Sequence, residues 1–191
     1  MHKVIQLRGC NGSGKTTTVN QFIARNGLKP SSVDCCGRKW EIQTGKGIVI
    51  LAKRGGDGNI RGLDGYVNSR EELVQVVPAV LDITKPEIMI FEGFIYGLSY
   101  KLGAEINQMA KSRGYKYIAV NLDIPPEVSL NRIYHRNGGK KINEERIWQK
   151  CAQAMRAYGK LKAAGIETRL FDTSKIPPNQ MYRILEEVVN G

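Results

Sequence analysis

The chain has 191 residues and carries 29 Lys or Arg against 18 Asp or Glu, which gives a formal net charge of +11. This length suits one α/β domain with a sizeable core and is too short for a typical two-lobed ATPase motor. No apolar run approaches the roughly 20 residues of a membrane span, and the N-terminus enters a strand without a signal-peptide core, so we expect a cytoplasmic protein. The basic surplus favours a polyanionic partner such as nucleic acid, with a generally basic surface as the plain alternative.

The first predicted element is a strand at Val4–Leu7, and a helix follows it after a turn that contains three glycines. Gly27 is positioned to end that helix. The turn matches the pattern G-x-x-x-x-G-K-[ST] from Gly9 to Thr16. In this motif, backbone N–H groups and the helix N-terminus bind phosphates. The sequence therefore resembles the P-loop NTPases, and it predicts a nucleotide site formed by Gly9, Asn11, Gly12, Ser13, Gly14, Lys15, Thr16 and Thr17.

Three residues of this site have predicted chemical roles. Lys15 can reach the β- and γ-phosphates of ATP and stabilise the charge on the transferred group, and the Thr16 hydroxyl can bind Mg²⁺. Glu92 ends the apolar run 88–91, where the second P-loop element places an acid that helps to hold Mg²⁺. A strand-end Glu that caps a helix or forms a salt bridge is the alternative interpretation.

A long glycine-rich segment lies in the middle of the chain. Residues 39–53 are predicted to form two strands joined by a turn at 44–46, so that a β-hairpin follows the first helix. The next segment, 54–66, has five glycines, several charges and no helical period. We call it the glycine-rich loop, and loops of this length in compact domains are usually functional or disordered.

The rest of the chain alternates helices and strands. Strands are predicted at 87–93, 115–123 and 166–172, and helices from Ser69, at 104–113, at 126–136, from Asn143 and at 178–189. This alternation predicts an α/β fold: a doubly wound, mostly parallel sheet with helices on both faces, forming a single domain over residues 1–191. The nucleotide is expected at the carboxyl ends of the strands.

Two later segments resemble parts of the P-loop kinases. Residues 132–143, the lid segment, resemble the kinase lid whose arginines close over the phosphates, and Arg132 and Arg136 share one helix face as candidate catalytic residues. A solvated basic turn is the alternative. The loop after the last strand stands where these kinases contact adenine, which makes Asp172 and Ser174 candidates for the base pocket. The alternative interpretation is that this segment is an ordinary polar loop.

The base that accepts the proton of the acceptor hydroxyl is assigned by the same resemblance. In polynucleotide kinases and related small kinases, an Asp with a nearby Arg stands at a similar interval after the phosphate loop. Here this gives Asp34 as the base and Arg38 as the residue that grips substrate phosphate. The surrounding "DCCGR" departs from the usual context, and Asp57 and Asp64 in the glycine-rich loop are rivals.

The order of phosphate loop, strand-end acid, lid segment and adenine loop resembles the polynucleotide-kinase-like and thymidylate-kinase-like proteins. A GTPase switch would need [NT]-K-x-D, and the nearest string, 84–87, ends in Glu. The open, basic glycine-rich loop, with Arg54 and Arg61, suits a phosphodiester chain better than one small nucleotide. Nearby aromatics could stack on an unpaired base or belong to the core: Trp40, Tyr66, Phe94, Tyr96 and Tyr100.

These features resemble the phage 5-hydroxymethyluracil DNA kinases. The resemblance implies that ATP, with Mg²⁺, supplies a γ-phosphate to the hydroxymethyl group of a modified uracil in DNA, in the cytoplasm of the host. Arg38, Arg54, Asp57, Arg61 and Asp64 are then the candidate substrate-binding residues. A nucleotide or small-metabolite kinase and a non-catalytic nucleotide-responsive binder remain as alternatives, and no protein partner is inferred.

The four cysteines show no zinc-site spacing, and the adjacent pair Cys35–Cys36 is a poor disulfide prospect. Cys10 occupies a variable position of the phosphate loop, where it could be oxidised. This cysteine pattern favours a reducing cytoplasm.

Overall fold

The computed structural model describes residues 1–57, 59–63, 66–93 and 98–191. Its strands are β1 (Lys3–Arg8), β2 (Lys29–Cys35), β3 (Arg38–Gly45), β4 (Ile48–Leu51), β5 (Lys53–Arg54), β6 (Ile60–Arg61), β7 (Ile88–Glu92), β8 (Lys116–Asp123) and β9 (Thr168–Asp172). Its helices are α1 (Lys15–Asn26), α2 (Arg70–Thr84), α3 (Tyr100–Ser112), α4 (Pro126–Arg136), α5 (Glu144–Ala163) and α6 (Tyr182–Asn190), with a 3₁₀ turn at Pro178–Gln180.

Within these described residues, seven strands form one sheet in the order β2-β3-β4-β7-β1-β8-β9. The strands from β4 to β9 in this order are parallel, whereas β2 pairs antiparallel with β3 and β3 with β4. Central β1 is buried at every position, as expected for a strand with parallel neighbours on both sides. The predicted doubly wound, mostly parallel sheet is confirmed.

The predicted hairpin after the first helix is confirmed, because β3 and β4 pair antiparallel on either side of the turn that follows Gly45. The apolar run Ile48–Leu51 of β4 also pairs parallel with β7, and an additional strand, β2, pairs antiparallel with the other edge of β3. Strand β2 was not predicted, because it lies at the sheet edge and, of its seven residues, Val33 alone is classed as buried. An edge strand with so little apolar content carries a weak periodic signal.

Helices cover both faces of the sheet because successive side chains of β1 point in opposite directions. Val4 packs in a core cluster with α2 and α3, whereas Ile5 and Leu7 pack in a second cluster with α1 and α6. Two predicted helix caps are present: Ser69 Oγ accepts from the N–H of Glu72 at 3.1 Å, and Asn143 Oδ1 accepts from the N–H of Arg146 at 2.9 Å. Of the helices described, none has the length and apolar content that a membrane crossing requires.

Candidate active site

The loop between β1 and α1 has the backbone shape that its glycines predict. Gly9 and Gly12 have φ values of 138° and 74°, in the region that favours glycine. A Cβ at Gly9 would lie 2.5 Å from the carbonyl oxygen of Leu122, and a Cβ at Gly12 would lie 2.9 Å from that of Ser129. Both glycines are therefore needed for the close approach of the phosphate loop to β8 and α4.

A cleft of about 450 Å³ opens over this loop. Lys15 lies in its wall, 6% exposed, and its Nζ donates to the carbonyl oxygens of Gly9 and Cys10 at 3.0 Å each. The cleft is lined by Asn11, Gly12, Gly14, Lys15, Thr16, Thr17, Arg61, Gly62, Glu92, Arg132, Arg136, Pro178 and Met181. The structure therefore gathers predicted residues from the phosphate loop, the strand-end acid, the lid segment and the glycine-rich loop around one space.

Thr16 and Glu92 meet at the floor of this cleft. The Thr16 hydroxyl donates to Glu92 Oε1 at 2.7 Å, and the Glu92 carboxylate is 2% exposed. The parallel pairing of β1 with β7 places Leu7 opposite Glu92, which brings the strand-end acid beside the start of α1. No cluster of three or more His, Cys, Asp or Glu suited to a metal occurs in the described part of the chain. A cation here would thus have two side-chain oxygen donors, one from Thr16 and one from Glu92.

Helix α4 of the lid segment packs directly on the phosphate loop. Ser129 Oγ donates to the carbonyl oxygen of Asn11 at 2.6 Å. Arg132 donates from Nη1 to the carbonyl oxygen of Gly12 at 3.2 Å and from Nη2 to that of Thr173 at 2.9 Å. Arg132 therefore links the phosphate loop to the loop after β9, and its guanidinium faces the cleft together with that of Arg136.

The loop after β9 lies close to the cleft, but Asp172 and Ser174 do not line it. Asp172 accepts hydrogen bonds from the backbone N–H and the hydroxyl of Ser174 and pairs with Lys175, and these contacts lower the pKa of its carboxyl group. The apolar end of the cleft is formed instead by Pro178 and Met181, and a Cβ at Gly14 would lie 2.5 Å from Met181 Cε. The sequence placed Met181 only within the predicted helix at 178–189 and did not connect it with the site.

The glycine-rich loop forms the opposite wall of the cleft in its described part. The N–H of Leu63 donates to the carbonyl oxygen of Glu92 at 3.0 Å, and Asn20 of α1 binds the backbone of Ile60. Gly62 fits against the Glu92 carboxylate, because a Cβ there would lie 2.9 Å from Oε1. The sequence led us to expect an open loop, whereas Ile60 and Leu63 are buried and anchor it beside the phosphate loop.

Among the charged residues in the described part of this loop, Arg61 is the one that lines the cleft. Its Nη2 pairs with Asp57 Oδ2 at 3.1 Å on an exposed surface. Hydrogen bonding from Asn59, together with the charge of Arg61, lowers the pKa of Asp57. Arg54 lies outside the cleft lining, exposed on β5. Asp64 falls outside the described residues.

The structure does not bring Asp34 to the phosphate loop. Asp34 is exposed on β2, and β3, β4 and β7 lie between β2 and β1. Strands pack about 4.8 Å apart, so β2 and β1 are about 19 Å apart in the sheet. The interval along the chain that suggested Asp34 as the base does not account for the added edge strand β2, on which Asp34 lies.

Arg38 is engaged in a core contact and not in the cleft. Its Cζ lies 3.7 Å from the centroid of the Trp40 ring, and its Nη2 forms a 2.9 Å ion pair with Glu72 and a hydrogen bond with the Tyr66 carbonyl. Trp40 is fully buried, with its Nε1 donating to the carbonyl of Cys35 at 3.1 Å. Of the two interpretations of Trp40, the structure supports the core residue. Phe94 and Tyr96 lie outside the described residues.

Cys10 and Cys151 form a disulfide that joins the phosphate loop to α5 across 141 positions of sequence. This bond differs from the expectation of reduced cysteines, and no local pattern predicts it because the two residues are far apart along the chain. Cys35 and Cys36 are free thiols, and burial of the Cys35 thiol, reinforced by its neighbour Cys36, raises its pKa to about 11.

No protein-family model matches the chain, whereas individual proteins are similar to it. A 5-hmdU DNA kinase of Pseudomonas phage M6 is 30% identical over 181 residues, which cover 87% of this chain and 89% of the relative. A thymidylate kinase of Maridesulfovibrio salexigens is 28% identical over 154 residues, which cover 74% of this chain and 71% of the relative.

Likeness to solved structures supports the fold. The YorR protein of Bacillus subtilis, solved in complex with phosphorylated GDP, matches with a TM-score of 0.60 and 14% identity, over 98% of this chain and 96% of that one. At that identity the match establishes the fold alone. The two sequence relatives are kinases, and the cleft holds the phosphate-loop residues of such enzymes. The protein is therefore a phosphotransferase, and the chain belongs to the P-loop kinase family of the phage 5-hmdU DNA kinases.

Proposed function

We propose that the protein transfers the γ-phosphate of ATP to the 5-hydroxymethyl group of a modified uracil base in DNA. The observation that carries the proposal is one cleft whose lining brings together Lys15, Arg61, Arg132 and Arg136 with the hydrogen-bonded pair of Thr16 and Glu92. The relative named for this activity aligns with most of the chain and supports the choice of acceptor.

The cleft has a polar end and an apolar end, which fixes the orientation of the nucleotide in this proposal. Backbone N–H groups of residues 11–16 and the N-terminus of α1 bind the phosphates. Pro178 and Met181 offer apolar surface for the base, on the side where Arg132 reaches the loop after β9. Lys15 exchanges its carbonyl partners for phosphate oxygens, since a charged acceptor makes the stronger hydrogen bond.

Thr16 and Glu92 are the residues that would hold Mg²⁺. A hydroxyl and a carboxylate 2.7 Å apart fit this ion, which prefers oxygen ligands and is usually bound by one or two protein groups with phosphates and water. When bound, the ion neutralises charge on the phosphates during transfer. Glu92 then serves as the anionic anchor, and the hydrogen bond from the N–H of Leu63 to its carbonyl holds the acceptor wall beside it.

The acceptor enters beside the glycine-rich loop. Its hydroxyl oxygen forms the new bond to the γ-phosphorus as the bond to the bridging oxygen breaks, and ADP leaves with that electron pair. The hydroxyl proton passes to the carboxylate of Asp57, which pairs with Arg61, or to water in the cleft. Arg61 binds a phosphate of the DNA strand or the transferred group, while Arg132 and Arg136 stabilise the charge that spreads over the phosphoryl oxygens. A target base inside a duplex must leave the stack to reach this position.

A transfer assay with γ-labelled ATP tests the proposal. The acceptors are DNA with 5-hydroxymethyluracil, the same DNA with thymine, RNA, and the free monomers dTMP and 5-hydroxymethyl-dUMP. We expect label in the hydroxymethylated DNA alone, and its loss by at least about 100-fold in Lys15→Ala because charge stabilisation is removed. Equal label in thymine DNA would contradict the proposed acceptor.

A second candidate, a nucleoside monophosphate kinase, is favoured by the thymidylate kinase relative. It predicts label in a free monomer with no effect of added DNA. A third candidate, a nucleotide-responsive binder, predicts ATP binding without transfer to any acceptor, and the same product profile for Lys15→Ala and the unaltered protein.

A further inference from the structure

Two neighbouring residues of α1 bind different parts of the nucleotide cleft. Asn20 binds the backbone of Ile60 in the glycine-rich loop, on the acceptor side. Gln21 binds the segment that contains Pro178 and Met181, which form the apolar end of the cleft. Successive residues of a helix point about 100° apart, so one helix can reach both sides of the site. Gln21 itself does not line the cleft and has no part in the phosphate-loop motif.

The side-chain amide of Gln21 uses both of its ends. Its Nε2 donates to the carbonyl oxygen of Pro178 at 2.7 Å, across 157 positions of sequence. Its Oε1 accepts from the backbone N–H of Tyr182 at 3.2 Å. The opposite orientation of the amide would set two donors and two acceptors against each other, so both bonds define one orientation. Together they enclose the segment 178–182, in which Met181 lies.

The N–H of Tyr182 needs a partner from outside its own helix. Tyr182 is the first residue of α6, and the first N–H groups of a helix have no acceptor within that helix. Met181 stands at the N-cap position, where its side chain has no oxygen to accept a hydrogen bond. Gln21 therefore supplies this cap from α1 and holds the beginning of α6 against the helix that follows the phosphate loop.

The connection between β9 and α6 is held at its other end by separate bonds. The N–H and the hydroxyl of Thr173 donate to the carbonyl oxygen of Asp123 at 2.9 and 3.0 Å. Arg132 donates to the carbonyl oxygen of Thr173 at 2.9 Å. These bonds hold the start of the connection, whereas the bonds from Gln21 hold the end at which Pro178 lies.

Met181 shows how closely this segment approaches the phosphate loop. Its side chain is 2% exposed and packs in the core cluster that contains Val19 and Phe22 of α1. A Cβ at Gly14 would lie 2.5 Å from Met181 Cε. Dispersion contacts weaken by about a quarter to a half when a gap of about 0.5–1 Å opens between two surfaces. The apolar contact that a nucleobase can make here therefore depends on where the segment is held.

We propose that Gln21 is a positioning residue for the nucleotide. Its side-chain amide fixes the base wall, defined as Pro178 and Met181, at the distance from the phosphate loop that a nucleobase requires. The inference rests on the orientation of the nucleotide in the proposed function, with the base against these two residues, and it is independent of the acceptor. Asn20 then holds the acceptor wall and Gln21 holds the base wall, so that α1 aligns both substrates with the phosphate loop.

The test measures binding of a nucleotide with and without its base, in the absence of any acceptor. Isothermal titration calorimetry with Mg²⁺ compares ATP with tripolyphosphate, which presents the phosphates alone. In Gln21→Ala, we expect the Kd for ATP to rise about three- to tenfold, the factor that corresponds to the loss of one hydrogen bond. The Kd for tripolyphosphate should stay at the unaltered value, because the phosphate loop keeps its own contacts.

Gln21→Glu distinguishes positioning of the base wall from stability of the fold. A carboxylate still accepts from the N–H of Tyr182, and its charge suits the N-terminus of α6, but it cannot donate to the carbonyl of Pro178. The Tm should therefore equal or exceed that of the unaltered protein, while the Kd for ATP rises as in Gln21→Ala. A purely structural role would instead give an unaltered Kd for ATP wherever the Tm is retained.

Arg25→Ala is the matched control. Arg25 lies one turn farther along α1, where it forms a 2.8 Å ion pair with Glu186 of α6 and lies over the Tyr182 ring at 4.4 Å. Its loss should loosen the same two helices without changing the Kd for ATP.

Three results would each overturn the positioning role of Gln21. They are equal losses of affinity for ATP and tripolyphosphate, an unaltered Kd for ATP in either Gln21 variant, and a loss in Arg25→Ala as large as in Gln21→Ala. The transfer assay with γ-labelled ATP is a separate measurement. Label in a free monomer would sink the proposed DNA acceptor and leave the role of Gln21 standing.

Discussion

The side-chain amide of Asn20 holds both backbone groups of Ile60. Asn20 Oδ1 accepts from the Ile60 N–H at 2.8 Å, and its Nδ2 donates to the Ile60 carbonyl at 3.3 Å and to that of Thr16 at 3.0 Å. One residue of α1 thus couples the phosphate-loop helix to the glycine-rich loop. Arg61 and Gly62, which follow Ile60 directly, are held against the Thr16–Glu92 pair as a result.

Replacing Asn20 by Ala should therefore misplace the acceptor wall. We expect kcat/KM for the acceptor to fall about 10- to 100-fold, since a displacement of about 1 Å at a reacting centre has effects of this size. The KM for ATP should change little, because the phosphate loop keeps its own contacts. Steady-state kinetics with each substrate varied in turn gives the two values.

Asn26→Ala is the matched control for this change. Asn26 makes the same kind of bond on the same helix, from Nδ2 to the Phe22 carbonyl at 2.9 Å, and has no recorded contact with the described part of the glycine-rich loop. Its kinetics should match those of the unaltered protein. Equal losses in the two variants would mean that helix stability, and not the position of the acceptor wall, explains the effect.

Glu92→Gln tests the metal site. The change keeps the shape of the side chain and removes the charge that is needed to hold Mg²⁺, so kcat should fall about 100- to 1000-fold with a higher Mg²⁺ concentration at half-maximal rate. Glu92→Asp should recover part of the activity. Titration of the activity of each variant with Mg²⁺ measures kcat and the Mg²⁺ concentration at half-maximal rate. A Gln variant with the unaltered Mg²⁺ requirement would exclude Glu92 as a ligand.

The sequence predicted most of the parallel sheet and the phosphate-loop part of the cleft, because both are formed by residues that are close together in the sequence and follow recognisable patterns. Buried parallel strands read as apolar runs, such as Ile48–Leu51 and Ile88–Glu92. The phosphate loop needs glycines at fixed backbone positions, so its motif is visible in the sequence itself. In both cases the physical constraint acts on neighbouring residues.

The features of the fold and the cleft that the sequence did not predict depend on contacts between residues that are distant along the chain. Asn20 is one polar residue on a helix, and nothing near it in sequence shows that it meets Ile60. Edge strand β2 is mostly exposed and has no period, and its insertion moves Asp34 away from the loop that a simple residue count placed beside it. Cys10 and Cys151 likewise come together through the packing of the phosphate loop against α4 and α5.

Reduction of the Cys10–Cys151 disulfide should destabilise the protein. The bond closes a loop across 141 positions of sequence, and constraint of a loop this long in the unfolded chain is worth about 2–5 kcal/mol. We expect a Tm lower by several degrees in reductant. Cys151→Ser should have the same low Tm with and without reductant, and a reductant-sensitive Tm in that variant would contradict this source of stability.

Thiol labelling should distinguish the other two cysteines. Cys36 is exposed, whereas burial of the Cys35 thiol raises its pKa to about 11. A raised pKa keeps Cys35 protonated below that value, so its alkylation should be slow at pH 7 and should accelerate toward pH 11, since the thiolate is the nucleophile. Peptide mapping after alkylation measures this, and fast labelling of Cys35 at pH 7 would show that its thiol is more exposed than in the structure.

One pair of variants distinguishes the roles of Asp57 and Asp34 in the reaction. Asp57 pairs with Arg61, which lines the cleft, whereas Asp34 lies on β2, which is about 19 Å from β1 across the sheet. We therefore expect Asp57→Asn to lower kcat/KM for the acceptor about tenfold or more, and Asp34→Asn to stay near the unaltered value. A larger loss in Asp34→Asn would restore the assignment that the sequence interval suggested.

The pH profile then shows how Asp57 acts. Hydrogen bonding from Asn59 and the charge of Arg61 lower the pKa of Asp57, so its carboxylate stays ionised to a lower pH than an ordinary Asp and is protonated, with loss of the ion pair to Arg61, only below that pH. If Asp57 were the general base, the acidic limb of the rate profile would lie at this low pH and would vanish in Asp57→Asn. If Asp57 positions Arg61, the profile keeps its shape in Asp57→Asn while the KM for DNA rises, and Arg61→Ala shows the same rise, with no further loss in the double variant.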